Sequence, residues 1–269
     1  RRVLPVPQSL SGFNKYYLDT PVLCIDLDRM ADNIRLRGQW CRAPGVQWRP
    51  HEKCHKTPAI AHMEVAAGAQ AVGLNFYAAS PRSVTVDVAH ALSREAADEI
   101  ERVGLFVNHP VEWVLATARD CQLDTVQLHG DETVAEIAAV AREFPVIRAF
   151  RVGAAGLGPV ADELARLDAA GVRLRGALVD AEVAGAYGGT GQRAPWEVLS
   201  TGWDRTHWPP LILAGGLTCE NVAEAIAAVH PWGVDVAGGV ESGKACKDPA
   251  RVRVVVVRAH GAGGQSVAP

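Results

Sequence analysis

Residues Thr125 to Arg151 read TVQLHGDETVAEIAAVAREFPVIRAFR. The stretch opens on a short apolar run, Thr125 to Leu128, crosses a polar loop into an amphipathic, alanine-rich segment, and closes on a second apolar run, Val146 to Arg151. Strand, helix, strand in this order signals a parallel sheet, because parallel neighbours can be joined only by a crossover of a dozen residues or more. The same unit recurs along the chain. Further candidate strands are Val46 to Lys53, Ala71 to Phe76, Val103 to Val107, Arg175 to Val179, Leu211 to Ala214 and Val234 to Val236, each followed by a helix or helical turn. Eight such units between residues 46 and 260 predict an α/β chain folded as a (β/α)8 TIM barrel, whose chemistry sits at the C-terminal ends of the strands. The structural rival is an open doubly wound sheet. No G-x-G-x-x-G follows the first strand, and Gly153-Ala154-Ala155-Gly156-Leu157-Gly158 lies after the fifth with the wrong spacing for a dinucleotide turn.

Residues 1–45 stand outside the repeat. Pro21 to Asp28 is strand-like and Arg29 to Arg42 helix-like, so an N-terminal extension is expected over 1–45, the barrel over 46–260 and a flexible glycine-rich tail over 261–269. The chain has 269 residues, 48% of them hydrophobic, enough for one large core. A net charge of −3 and a pI of about 6.3, without runs of one sign, favour neither nucleic acid nor an anionic membrane surface. Small molecules, or a second copy in a homodimer, are the expected partners. The six cysteines (Cys24, Cys41, Cys54, Cys121, Cys219 and Cys246) show no C-x-x-C spacing, which points to reduced thiols and a cytoplasmic setting. No apolar run approaches the ~20 residues of a membrane span, and the arginine-rich start has no apolar segment behind it, so no membrane or secretory targeting is expected.

The polar residues at the predicted strand ends are Lys53, Cys54, Asn75, Asn108, Gln127, His129, Arg151 and Asp180. The glycine pairs Gly215-Gly216 and Gly238-Gly239 follow the seventh and eighth strands, where backbone N–H groups of a barrel often hold phosphate; tight turns alone would also use glycine there. One motif suggests a different chemistry. His51-Glu52-Lys53-Cys54-His55 matches the H-E-x-x-H pattern of zinc proteases, which works only on a helix that puts both histidines on one face. The strand-like Gly45 to Pro50 before it and Pro58 after it argue against that helix, and no metal is expected.

Six segments in order, GLNFYAASPRSV, VGLFVNHP, DTVQLHGDET, YGGTG, LILAGGLTCENVAEAI and PWGVDVAGGVESGKACKD, resemble successive motifs of the phosphoribosylanthranilate isomerase family of tryptophan biosynthesis. The resemblance covers about Gly68 to Asp248. It implies an Amadori rearrangement without cofactor or metal, with Asp180 as general acid, Arg82 holding the anthranilate carboxylate, and Gln127 and His129 lining the pocket. It further implies that backbone groups of Gly215, Gly216, Ala237 and Gly238 bind phosphate, with Asp235 beside them. Read as isolated residues, Arg82 could be a solvated loop charge, Asp180 a helix N-cap and His129 a packed imidazole.

The chain departs from that family at several points. The family closes its first strand with K-I-C-G-I-T, whose Cys is the general base; here the place reads His51 to Thr57, HEKCHKT, and Cys54 is the candidate base. Lys53, His55 and Lys56 around it would favour its thiolate; an inert buried thiol is the alternative. Ala237-Gly238 replaces Ser-Ser, Cys219 stands where Pro is usual, and QRAPW (Gln192 to Trp196) replaces K-T-F-D-W.

LDTPVLCIDLDRMADNI and GVQWRPHEKCHKTPAIAHMEVAAGA, within residues 18–69, resemble instead the start of the D-threonine aldolase and D-serine dehydratase family of fold-type III pyridoxal phosphate enzymes. That resemblance reads RPHEKCHK as a cofactor-lysine motif and implies Lys53 as the Schiff-base residue. It fills one βα unit against seven for the isomerase. The expectation is therefore an isomerase acting on a small phosphorylated substrate. The alternatives are a pyridoxal phosphate-dependent lyase using Lys53 and a non-catalytic phosphate-ligand-binding barrel.

Overall fold

The computed structural model describes residues 71–80, 82–95, 101–153, 155–181, 193–243 and 246–263. The N-terminal extension, the predicted first strand Val46 to Lys53 and the YGGTG segment lie outside the described residues. The elements are β1 (Ala71–Asn75), α1 (Val86–Glu95), β2 (Glu101–Phe106), α2 (Val111–Asp120), β3 (Thr125–Leu128), α3 (Val134–Ala141), β4 (Val146–Val152) and α4 (Gly158–Ala169). They continue with β5 (Gly176–Ala181), α5 (Trp196–Gly202), β6 (Leu211–Leu213), α6 (Val222–Val229), β7 (Gly233–Val234), the hairpin strands β8 (Glu241–Gly243) and β9 (Cys246–Lys247), and α7 (Pro249–Gly263).

Strands β1 to β7 form one sheet in the order β1-β2-β3-β4-β5-β6-β7, and every neighbouring pair is parallel. A doubly wound sheet reverses its strand order at a switch point; this sheet never does. When each right-handed crossover advances by one neighbour, all the helices fall on the same face and the other face must close on itself. The burial pattern shows those two faces. Val126, Leu128, Phe150, Val152, Ala177, Val179, Leu211 and Leu213 pack into clusters that also hold helix residues. The alternate positions Ile147, Ala149, Leu178, Ile212 and Ala214 form a separate inner cluster, the filling expected of a barrel interior. Arg82, in the loop after β1, is bonded to Glu241 of β8, after β7, so the two ends of the sheet are drawn together.

Local chemistry sets the element ends. Helix α3 starts at a capping box: the Thr133 hydroxyl accepts from the Glu136 N–H at 3.3 Å, and the Glu136 carboxylate accepts from the Thr133 N–H at 2.7 Å. Strand β5 runs two residues past its predicted end at Val179, because Arg151 pairs with Asp180 and Val152 with Ala181. An apolar-run reading stops at the first charge, although ladder pairing does not depend on it. Strand β7 is only Gly233–Val234, shorter than Val234 to Val236 and shifted by one residue.

Candidate active site

On β4 and β5 the inner-face residues are Ile147, Ala149 and Leu178, so the period-2 alternation continues inward through Arg151 and Asp180 at the C-terminal ends. Asp180 is 5% exposed. It lies inside β5, and its Oδ1 accepts the Ala181 N–H at 2.8 Å, which removes the helix N-cap reading. Arg151 is its register neighbour on β4 and is ion-paired with Asp131 from the loop after β3. Gln127 on β3 and His129 just past its end lie two residues apart, both buried, with Gln127 Nε2 3.1 Å from His129 Nδ1.

The loop above β3 is held from behind by a buried carboxylate. Glu132 accepts from the N–H groups of Asn108 (2.9 Å) and Gly130 (2.9 Å) and from Arg148 Nη1 (2.7 Å), while Arg148 Nε donates to Glu163 at 2.8 Å. Asn108, in the left-handed region at φ 53°, returns a bond by accepting from the Asp131 N–H. Loops after β2 and β3 are thereby tied to one anchor.

Arg82 is not the solvated loop charge that its isolated sequence position allowed. Its side chain is 15% exposed and its guanidinium meets the Glu241 carboxylate at 2.7 Å. After β6, Gly215 (φ 80°) and Gly216 (φ 61°) adopt left-handed conformations that side-chain-bearing residues rarely take. Asn221 pins this turn, donating to the Gly216 carbonyl at 2.9 Å and accepting from the Thr218 N–H at 2.8 Å. Thr218 in turn bridges to Gly239 beyond β7, where a Cβ would stand 1.9 Å from the Leu217 carbonyl oxygen. The two glycine loops are therefore adjacent. Among the described residues no backbone hydrogen bond uses the N–H of Gly215, Gly216 or Gly238, and a Cβ on Gly238 would meet no protein atom within 4 Å. Ala237 is in the same loop, and Asp235 lies just past β7 with its N–H on the Leu213 carbonyl.

A surface cavity of about 620 Å³ lies elsewhere, among α4, Val172 to Leu174 and Thr206 to Pro209, before the N-terminal ends of β5 and β6. It contains none of these residues. Among the described residues no group of three His, Cys, Asp or Glu side chains is placed to hold a metal, and no helix is long and apolar enough to cross a membrane. Cys54 and Lys53 lie outside the described residues.

The family model described as N-(5'-phosphoribosyl)anthranilate (PRA) isomerase matches residues 53–258. The chain belongs to this isomerase family. A relative named N-(5'-phosphoribosyl)anthranilate isomerase from Geobacter metallireducens is 42% identical over 198 residues, covering 73% of this chain and 91% of that protein. Its counterpart from Geobacter sulfurreducens is 44% identical with the same coverage. The crystal structure of phosphoribosyl anthranilate isomerase from Thermotoga maritima superposes with a TM-score of 0.65 at 30% identity, over 80% of this chain and 99% of that one. Another such isomerase, in complex with reduced 1-(o-carboxyphenylamino)-1-deoxyribulose 5-phosphate, gives 0.63 at 30% identity.

Two departures from the isomerase motifs have a local physical account. Cys219, in place of the usual Pro, is buried and donates its thiol to the Arg251 carbonyl at 3.2 Å, tying the loop before α6 to α7. Burial, with Glu220 adding to it, holds that thiol above its ordinary pKa. In QRAPW, the Arg193 guanidinium lies 3.4 Å over the ring of buried Trp196. Sequence reading overlooked Glu241 and Glu132. Glu241 meets its partner 159 residues away, and Glu132 draws its donors from three separate segments. Neither carboxylate has a local pattern that could have revealed it.

Proposed function

We propose that this chain catalyses the Amadori rearrangement of N-(5'-phosphoribosyl)anthranilate to 1-(2-carboxyphenylamino)-1-deoxyribulose 5-phosphate, a step of tryptophan biosynthesis. The observation that carries the reading is a carboxyl group, Asp180, buried at a C-terminal strand end of the same sheet whose next two strands end in adjoining glycine loops, where Gly215, Gly216 and Gly238 make no backbone N–H bond among the described residues. Asp180 protonates the ribose ring oxygen as the C1′–O bond breaks, and the anthranilate nitrogen lone pair forms the C1′=N bond of the Schiff base. The Cys54 thiolate takes the C2′ proton, leaving an enolamine. Protonation at C1′ and loss of the 2′-hydroxyl proton then give the ketone, so atoms and charge balance without oxidant, metal or cofactor. The family match begins at Lys53, one residue before Cys54, which supports the base assignment.

Arg82 receives the anthranilate carboxylate, Gln127 and His129 line the pocket, and Gly215, Gly216, Ala237 and Gly238 present backbone groups to the phosphate beside Asp235. The protein acts as a monomer or homodimer in the cytoplasm, where reduced thiols such as Cys121 and Cys219 persist. The test is turnover of the substrate, followed by loss of anthranilate-type fluorescence, in the parent and in Asp180→Asn and Cys54→Ala. Turnover in the parent and its loss in both variants is expected. A folded parent that does not turn over the substrate refutes the activity; a fully active variant refutes that residue's role.

A further inference from the structure

A guanidinium offers a carboxylate two edges, Nε with Nη2 and Nη1 with Nη2. Glu241 takes Nε and Nη2 of Arg82, with both carboxylate oxygens on Nη2: its Oε1 accepts from Nε at 3.1 Å and from Nη2 at 2.8 Å, and its Oε2 accepts from Nη2 at 2.7 Å. No hydrogen bond among the described residues engages Nη1. The pair is sheltered, with side-chain exposures of 15% for Arg82 and 7% for Glu241.

Both arms of the pair are anchored. The Arg82 N–H donates to the Ser80 hydroxyl at 3.2 Å, and Asn75 at the end of β1 fixes the same loop, its side chain accepting from Tyr77 and its carbonyl from Val84. On the other side the Glu241 N–H donates to the Gly238 carbonyl, and the Glu241 carbonyl accepts from Arg251 Nη1 at 2.6 Å. Glu241 thus reaches Arg82 from the segment that also carries the candidate phosphate loop.

We propose that Glu241 is a positioning residue. It holds Arg82 by Nε and Nη2 so that Nη1 stands ready for the ring carboxylate of the substrate, and it thereby sets the preference for carboxylate-bearing ligands. This rests on the assignment of Arg82 made above. An arginine free to rotate must be ordered when the ligand binds, and one already clamped is spared that cost. The rival role is competition, in which Glu241 blocks Arg82 and the substrate displaces it. The nitrogens that Glu241 takes favour positioning, because among the described residues they leave Nη1 open to a second carboxylate.

Calorimetric binding to the full chain decides between them. The probes are reduced 1-(o-carboxyphenylamino)-1-deoxyribulose 5-phosphate and its counterpart lacking the ring carboxylate, with the parent, Glu241→Asp, Glu241→Gln and Arg82→Ala. Glu241→Asp keeps the charge and shortens the arm, so it remains informative if the glutamine variant does not fold. Both Glu241 variants should bind the carboxylate-bearing probe about fivefold more weakly and the other probe as the parent does. Equal weakening of both probes would show a structural role only, and tighter or unchanged binding of the carboxylate-bearing probe would show a competitor or a bystander; each overturns the proposal. If Arg82→Ala keeps the parent's preference, the Arg82 assignment fails and the inference with it. If Arg82→Ala loses the preference while the Glu241 variants keep it, the inference alone fails.

Discussion

Replacing Glu132 by glutamine changes the acceptor count at the anchor behind the β2 and β3 loops while keeping its shape. Three donors converge on the carboxylate: the N–H groups of Asn108 and Gly130 and the Arg148 guanidinium. Both Glu132 and Arg148 side chains are 5% exposed, so water cannot stand in for a lost partner. A glutamine supplies one acceptor oxygen and an NH2 that faces at least one of those donors. Removing one member of a buried ion pair costs about 3–5 kcal/mol. Arg148 keeps Glu163 at 2.8 Å and the Gly130 carbonyl at 3.2 Å, which moves the expected loss to about 2–3 kcal/mol. At roughly 2–4 °C per kcal/mol for a domain of this size, the melting temperature should fall by about 4–12 °C. Glu163→Gln serves as the control, since Glu163 is 22% exposed and makes a single bond to Arg148; about 1 kcal/mol is expected there. Urea and thermal unfolding of the three proteins measure this. A Glu132→Gln variant within about 0.5 kcal/mol of the parent, or one less affected than Glu163→Gln, would refute the reasoning.

Two further perturbations probe a helix start and the glycine turn. Thr133→Ala removes the α3 cap and should cost about 1 kcal/mol. The two Thr133 bonds hold the Glu136 carboxyl below its ordinary value of 4.5, a folded-state depression whose stabilisation is present above that value and lost as pH falls through the lowered one. The gap between parent and variant in urea midpoint should therefore be widest near neutrality and narrow in acid, where only the bond from the Glu136 N–H to the Thr133 hydroxyl still separates them; a gap independent of pH would contradict the bond from that hydroxyl to the Glu136 carboxylate. Gly215→Ala forces a Cβ onto a residue at φ 80° and should destabilise by about 1–2 kcal/mol. It should also weaken a phosphorylated ligand more than its dephosphorylated form, and equal weakening would argue against phosphate at this turn.

Much of the fold is written in local pattern. The seven strands from Ala71 onward appear in order, and Thr125–Leu128 falls on its predicted residues, because alternating apolar runs and amphipathic segments report burial on the two faces of a sheet without reference to distant partners. The same reading placed Gln127, His129 and Asp180 at strand ends, since the end of an apolar run lies within a residue or two of the end of a strand. Consecutive strand order, which separates a closing barrel from a doubly wound sheet, is not a local property and came from the pairing of β1 through β7. Tertiary structure alone showed that Arg82 is clamped by Glu241 and that Glu132 gathers donors from three segments. Residue type and periodicity record how one segment meets its surroundings; an ion pair between residues 159 positions apart leaves no trace in either until the chain has folded.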